Sequence, residues 1–163
     1  MDVNIRKMNL KDLNEVMEIE KECFNYTYPK NLIESILLTY SNCFYVAEDK
    51  ETNELVGYIM GTLEWGNGHI VSIGVRKKYR NRGIGKKLIN VLESYYFNVC
   101  KSQYVVLEVR PDNKIARVFY RRLGYVDRRV LFDYYDDGSD AILMIKKNPT
   151  LNYVDNTIVI NMW

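Results

Sequence analysis

The chain has a single histidine, His69, and three cysteines, Cys23, Cys43 and Cys100, in 163 residues. Three widely separated cysteines cannot close a disulfide framework. With no CxxC pair and no cysteine near the histidine, no zinc or other metal site is expected. Reduced thiols in a cytoplasmic protein are the simpler reading. No apolar run approaches the roughly 20 residues needed to cross a bilayer, so no membrane partner is expected. The first residues, Met1-Asp2-Val3-Asn4-Ile5-Arg6, lack the basic segment and apolar stretch of a secretory leader. Charge nearly cancels: 23 basic against 21 acidic side chains leave a formal +2. So small an excess does not by itself imply a nucleic-acid partner, and any basic feature must be local. Repeats, low-complexity tracts and Pro/Gly/Ser-rich linkers are also missing. The expected organisation is one domain over residues 1–149 and a C-terminal tail over 150–163.

What is there suits an ordinary globular core: 47% of residues are hydrophobic and 27% charged. Strand and helix patterns alternate along the chain. Val3 to Arg6 reads as a short strand. From about Leu10 to Cys23, Leu13, Val16, Met17 and Ile19 recur at helical spacing. Asn25 to Pro29 breaks that helix, and a second carries Leu32, Ile33, Ile36 and Leu37. Cys43–Ala47 and Leu55–Glu64 read as an antiparallel hairpin about a polar turn. Gly66-Asn67-Gly68 is expected to turn the chain into a strand over His69–Val75. An amphipathic helix then runs to about Cys100. Tyr104–Val109 is a nearly continuous apolar strand, so central. A short helix marked by Ile115, Ala116, Phe119 and Leu123 ends at Gly124. Two strands flank Asp136-Asp137-Gly138, and Thr157–Ile160 reads as one more.

The strongest local signal lies between Ile73-Gly74-Val75 and the long helix. Arg76 to Gly85 carries five basic residues and two glycines. The first turn of a helix offers unpaired N–H groups and a positive dipole end. Gly83 and Gly85 put no side chain over those groups, so a pyrophosphate can sit on the backbone. Arg80, Arg82, Lys86 and Lys87 would add charge. A P-loop is excluded because GxxxxGK[ST] is absent, and the glycine order does not suit a Rossmann fingerprint. The plainer alternative is a solvated basic turn.

Arg80-Asn81-Arg82-Gly83-Ile84-Gly85 resembles the [Q/R]xxGx[G/A] acetyl-coenzyme A loop of the GNAT superfamily. Val3 to about Lys147 follows that family's order of elements. Within it, the chain is similar to the ribosomal-protein-alanine (RimI) and ARD-type amino-terminal acetyltransferases. That likeness is carried by Val56–Met60, Gly68–Ile73, Leu107-Glu108-Val109-Arg110 with Asn113, and Tyr134–Ala141. The tail beyond Pro149 lies outside it. The resemblance implies an α/β (α+β) fold: a mixed, mostly antiparallel central sheet flanked by about four helices, with a splayed strand pair holding acetyl-coenzyme A. It also implies direct acetyl transfer to a protein α-amino group in a ternary complex, ribosomal proteins being one substrate class.

Residue roles follow from the same resemblance. Glu108 matches the general base, and Tyr120 the acid that protonates the departing sulfur. Ile73, Gly74 and Val75 would pair with the pantetheine arm through their backbone, with an N–H near Val75 polarising the thioester carbonyl. Arg80, Asn81, Arg82, Gly83, Ile84, Gly85 and Lys86 would hold the pyrophosphate. Asn113 would bond the cofactor arm, and a helix N-cap is the alternative for it. Tyr26, Tyr28, Tyr134 and Tyr135 would bind the substrate peptide. Tyr26 stands where the ARD-type Leu-Pro-Glu-Asn-Tyr loop has its acid, a departure that bears on substrate preference. His69 is read as structural. Three other readings stay open: a lysine or small-amine acetyltransferase, a basic nucleic-acid-binding domain, and a scaffold that binds cofactor only as a regulatory ligand. The apolar tail end, Ile158 to Trp163, is expected to cover a sheet edge or form a homodimer.

Overall fold

A computed structural model describes residues 2–151, so the tail strand expected over Thr157–Ile160 and the dimer contact lie outside the described residues. Strands β1 (Val3–Lys7), β2 (Phe44–Asp49), β3 (Leu55–Glu64), β4 (Asn67–Val75), β5 (Tyr104–Val109), β6 (Val126–Leu131) and β7 (Ala141–Lys147) form one sheet. Their order is β1-β2-β3-β4-β5-β7-β6. Every neighbouring pair is antiparallel except β4 with β5. Four helices flank it: α1 (Leu13–Cys23), α2 (Lys30–Thr39), α3 (Ile84–Ser94) and α4 (Lys114–Arg122).

Helix α1 is primed by a turn in which the Asn9 side chain accepts from the Lys11 N–H while Asp12 accepts from the Asn9 N–H. Arg6 on β1 grips both Asp12 oxygens at 2.8 Å, fixing the entry of the helix against the sheet. Leu13, Val16, Ile19 and Glu20 form the buried stripe of α1. The helix packs on one face of β3 and β4, where a Cβ on Gly74 would press into Tyr58 and Cys23. Helix α3 buries Ile84, Leu88, Ile89 and Leu92 against the opposite face. It continues through a π-helical turn, Tyr95–Val99, that lays the Tyr96 ring over Gly68 and its hydroxyl over Gly61. A side chain at either glycine would overlap Tyr96.

The chain reverses between β3 and β4 one step earlier than its glycines suggest. Glu64 pairs with Asn67, and the turn is Trp65-Gly66, with φ of 56° and 80°. Gly68 is therefore a strand residue, kept bare by the Tyr96 ring.

Two irregularities open the sheet. Between β3 and β4, Met60 pairs with Ser72 and the adjacent Gly61 with Ile70, so Val71 is an extra, bulged residue. Between β4 and β5 only two parallel pairs form, Gly68 with Val105 and His69 with Val106. Beyond them the strands diverge. The splay leaves a cleft in the middle of the sheet, with α4 following β5 along its rim.

Candidate active site

The cleft holds a cavity of about 930 Å³, walled by Ile70–Ile73 of β4, by Leu107–Val109 of β5 and by Arg110 just after it. The α1–α2 loop closes one side with Tyr26 and Tyr28, and the β6–β7 loop closes another with Tyr134 and Tyr135. Asn113 and Tyr120 come in from α4. Glu108, Tyr120, Ile73, Asn113 and all four expected substrate tyrosines therefore share one cavity.

Glu108 sits near the end of β5 with its side chain 9% exposed. Alternation along the strand turns it away from the α3 face, on which Leu107 and Val109 pack. Its carboxylate has two partners. The Tyr134 hydroxyl donates to Oε1 at 2.5 Å. His69 Nε2 lies 2.8 Å from each oxygen. On its other side, His69 Nδ1 is 3.0 Å from Glu64 Oε2. His69 thus backs Glu108 from outside the residues that line the cavity. The two parallel pairs joining β4 to β5 set it beside a residue 39 positions away, a relation no local pattern encodes.

Burial alone would lower the imidazole pKa, but the hydrogen bonds and charges of Glu108 and Glu64 override it and raise the value to about 10. At neutral pH His69 is an imidazolium between two carboxylates, so it does not act as a base there. Glu64 is held below the usual carboxylate range, chiefly by its bond to His69.

Tyr28, Tyr120, Tyr134 and Tyr135 keep their protons in the cavity. Burial, then the charge of Tyr135, pushes Tyr120 well above the ordinary phenol value. Tyr134 is raised by burial and by Glu108, and Tyr135 reaches about 12 for the same two reasons. Tyr28 rises through burial and then through the charges of Glu108 and Glu20. Glu20 is 1% exposed and accepts from Ser72 Oγ at 3.2 Å, and Ser72 is bonded in turn to the Tyr58 hydroxyl at 2.9 Å. Burial raises Glu20 above the usual carboxylate range. Tyr26 lines the cavity rim and is 72% exposed.

The glycine loop forms a second part of the site at the start of α3. Gly83 is the N-cap, in the left-handed region at φ 80°, and space around its Cα is open. No side chain caps this helix end, so its N–H groups are offered to an anion. Ile84 is buried at 3% and can supply only its backbone. Arg82 stacks over the Tyr79 ring, 5.6 Å from its centre. Asn81 adopts φ 63° and so helps the chain double back.

Around the expected cofactor site the protein makes contacts of its own. Arg80 donates through Nε to the Val75 carbonyl at 3.0 Å, and Cys23 Sγ approaches the same oxygen at 3.4 Å. That carbonyl is engaged by the protein itself, and Arg80 is folded back onto β4 rather than over the loop. A Cβ on Gly74 would meet Tyr58 and Cys23, which leaves its backbone for a ligand. Asn113 caps α4, accepting from the Ala116 N–H at 3.2 Å, and its amide NH₂ is left to the cavity, so the cap and a bond to the cofactor arm are compatible. Among the described residues there is no cluster of three or more metal-binding side chains, and no helix is long and apolar enough to cross a membrane.

A sequence model described as "Acetyltransferase (GNAT) family" matches residues 13–125. An uncharacterized N-acetyltransferase of Methanocaldococcus jannaschii is 51% identical over 98% of this chain and 99% of its own length. An N-alpha-acetyltransferase of Sulfurisphaera tokodaii is 36% identical, covering 88% of this chain and 92% of that protein. Among solved structures, Ard1 from Thermoplasma volcanium superposes with a TM-score of 0.84 at 28% identity, over 90% of this chain and 98% of that one.

Proposed function

The chain belongs to the acetyltransferase (GNAT) family, and from that premise we propose that it transfers the acetyl group of acetyl-coenzyme A to the α-amino group of proteins. One observation carries the reading: Glu108, backed by His69, lines a cavity flanked by two tyrosine-bearing loops, in a chain 36% identical to an N-alpha-acetyltransferase.

The bound co-substrate supplies an activated acetyl thioester. The bare N-terminus of α3 at Gly83, with Lys86 and Arg82 beside it, suits its pyrophosphate, and the stretch of β4 around Ile73, paired with β3 but not with β5, suits its amide-bearing arm. An α-amine has a pKa of about 7.7–8.0, well below the ~10.4 of lysine, so a carboxylate base suffices at neutral pH. Glu108 takes the amine proton, directly or through a water. His69, charged and pinned by Glu64, holds the Glu108 carboxylate in place. Tyr134 occupies that carboxylate in the free enzyme and yields its position to the incoming amine. Tyr120, kept protonated by burial, donates to the departing sulfur and regains its proton from solvent. The acidic lining, with Glu20, Asp112, Asp136 and Asp137 against Arg110, draws in a cationic amino terminus.

The test is transfer of labelled acetyl from acetyl-coenzyme A to short peptides that differ in their first two residues, each with its α-amine free or blocked. Peptides carrying the amino-terminal sequences of ribosomal proteins belong in the set. Labelling confined to free α-amines is the expected result. Labelling of blocked, lysine-containing peptides or of polyamines alone would overturn it. For a dimer built through the tail, deleting residues 150–163 lowers the sedimentation coefficient.

A further inference from the structure

The β6–β7 loop carries the two tyrosines proposed to meet the peptide, and it is folded chiefly on itself. The N–H groups of Tyr134 and Tyr135 both donate to the Ser139 carbonyl at 3.0 Å. Gly138 N–H closes back on Tyr135, Asp137 accepts from Ser139 N–H, and Asp140 accepts from Asp133 N–H. The loop is therefore a small rigid unit, and what matters is how it is fastened to the sheet. Strand β5 and the residue after it supply the fastenings. One is the Tyr134–Glu108 hydrogen bond. The other is Arg110, two residues beyond Glu108: its guanidinium lies 4.1 Å from the centre of the Tyr135 ring, and Nη1 is 3.1 Å from Asp137 Oδ2.

These two fastenings differ in one respect. Glu108 is the group the substrate amine or its bridging water must reach, so the Tyr134 bond competes with the substrate for that carboxylate. Arg110 touches the loop on the ring and carboxylate that the amine does not need. We propose that Arg110 is a positioning residue that keeps the β6–β7 loop docked over the peptide cleft while Tyr134 gives up Glu108 to the substrate. This rests on the proposed use of the cleft for a peptide amino terminus. A guanidinium suits the task because it stacks on an aromatic face and pairs with a carboxylate at once; an ammonium does the second and poorly the first. Asp137 and Arg110 are each about a third exposed, at 34% and 35%, so the fastening is reversible.

The experiment uses the full chain and two readouts. Arg110→Ala raises the KM for a free peptide about five- to thirtyfold, as a partly exposed cation–π contact and an ion pair lost together imply, with acetyl-coenzyme A affinity and kcat within about twofold. Arg110→Lys recovers only part of this. Asp137→Ala raises the same KM, and the double variant is less than additive, because both remove one fastening. Hydrogen exchange without substrate gives the second readout: amides of residues 132–140 exchange faster in Arg110→Ala, while those of β5 and β7 do not. An unchanged peptide KM with unchanged exchange overturns the proposal. So does a loss of protection spread through β5 and β7, or of acetyl-coenzyme A affinity, since Arg110 would then be holding the fold. Faster loop exchange in a protein that acetylates no peptide would uphold the fastening and sink the peptide reading alone.

Discussion

His69 Nε2 stands 2.8 Å from both carboxylate oxygens of Glu108, across a junction of two strands only two residue pairs long. The pairing that brings these side chains together is also the last before the strands part. The site thus lies where β4 and β5 part: on one side the two strands are joined, on the other the β5-facing edge of β4, still paired with β3, is open to a ligand. Glu108 and His69 inherit their rigidity from the paired side and their access from the open one.

Glu108→Gln keeps the size of the side chain and its bond to His69 but removes the base. We expect kcat to fall about 10²- to 10⁴-fold, the usual contribution of a positioned base, with acetyl-coenzyme A affinity unchanged. Steady-state rates and cofactor titration check both halves. Wild-type rates across the pH range would remove Glu108 from this role.

His69 titrates at about 10 when folded, above its ordinary value near 6.5. A raised pKa means that the folded state binds the proton more tightly, so its stabilising contribution is complete below about 6.5 and is lost as pH rises through about 10. Thermal melts from pH 7 to 10.5 should show a decline that is smaller in His69→Gln. Each kcal/mol lost corresponds to about 2–4 °C in Tm for a chain of this size.

Glu64→Gln removes one of the two charges that hold the proton on His69. The imidazole pKa then falls, and the alkaline limb of the kcat profile moves to lower pH with little change in peptide KM. An unmoved limb would mean that Glu108 alone sets the charge of His69.

Tyr120→Phe preserves the ring packing against Phe119 and Tyr125 but deletes the donor. Since a thiolate leaves readily, the expected loss in kcat is at the low end for acid catalysis, about 10²-fold. Acetyl-coenzyme A affinity should hold, which separates this variant from one that damages the cleft.

Gly83→Ala places a Cβ in open space, so any effect comes from the left-handed backbone and not from a clash. That conformation costs a non-glycine residue about 1–2 kcal/mol. If the loop relaxes to avoid it, the N–H groups at the start of α3 turn away. The expected result is weaker acetyl-coenzyme A binding, by about tenfold for 1.4 kcal/mol, by calorimetric titration.

The sequence is most legible where one periodicity dominates. Leu55–Glu64 and Tyr104–Val109 read as strands from their apolar runs, and both have those bounds. The turn after β3 is misplaced by a local reading because three residues, Gly66-Asn67-Gly68, carry turn chemistry, yet Gly68 is a strand glycine emptied for a ring from another element. Glu108 and Tyr120 are found through likeness to a family, since nothing in their own spacing marks them. His69 and Arg110 show the limit: each matters through a partner 27 to 39 residues away, Glu108 for one and Asp137 for the other. Such relations depend on strand order, which a local reading does not contain.

Tyr96 donates to the carbonyls of Thr62 and His69 while its ring and hydroxyl fill the space over Gly68 and Gly61. These three positions cannot drift singly. An alanine at 68 must first find a chain that has given up the tyrosine, and such a chain has already loosened the backbone of His69. Among descendants of this sequence, Gly61, Gly68 and Tyr96 should therefore be inherited or replaced as a set, so that a residue never touching the substrate restricts which neighbouring sequences remain open to the enzyme.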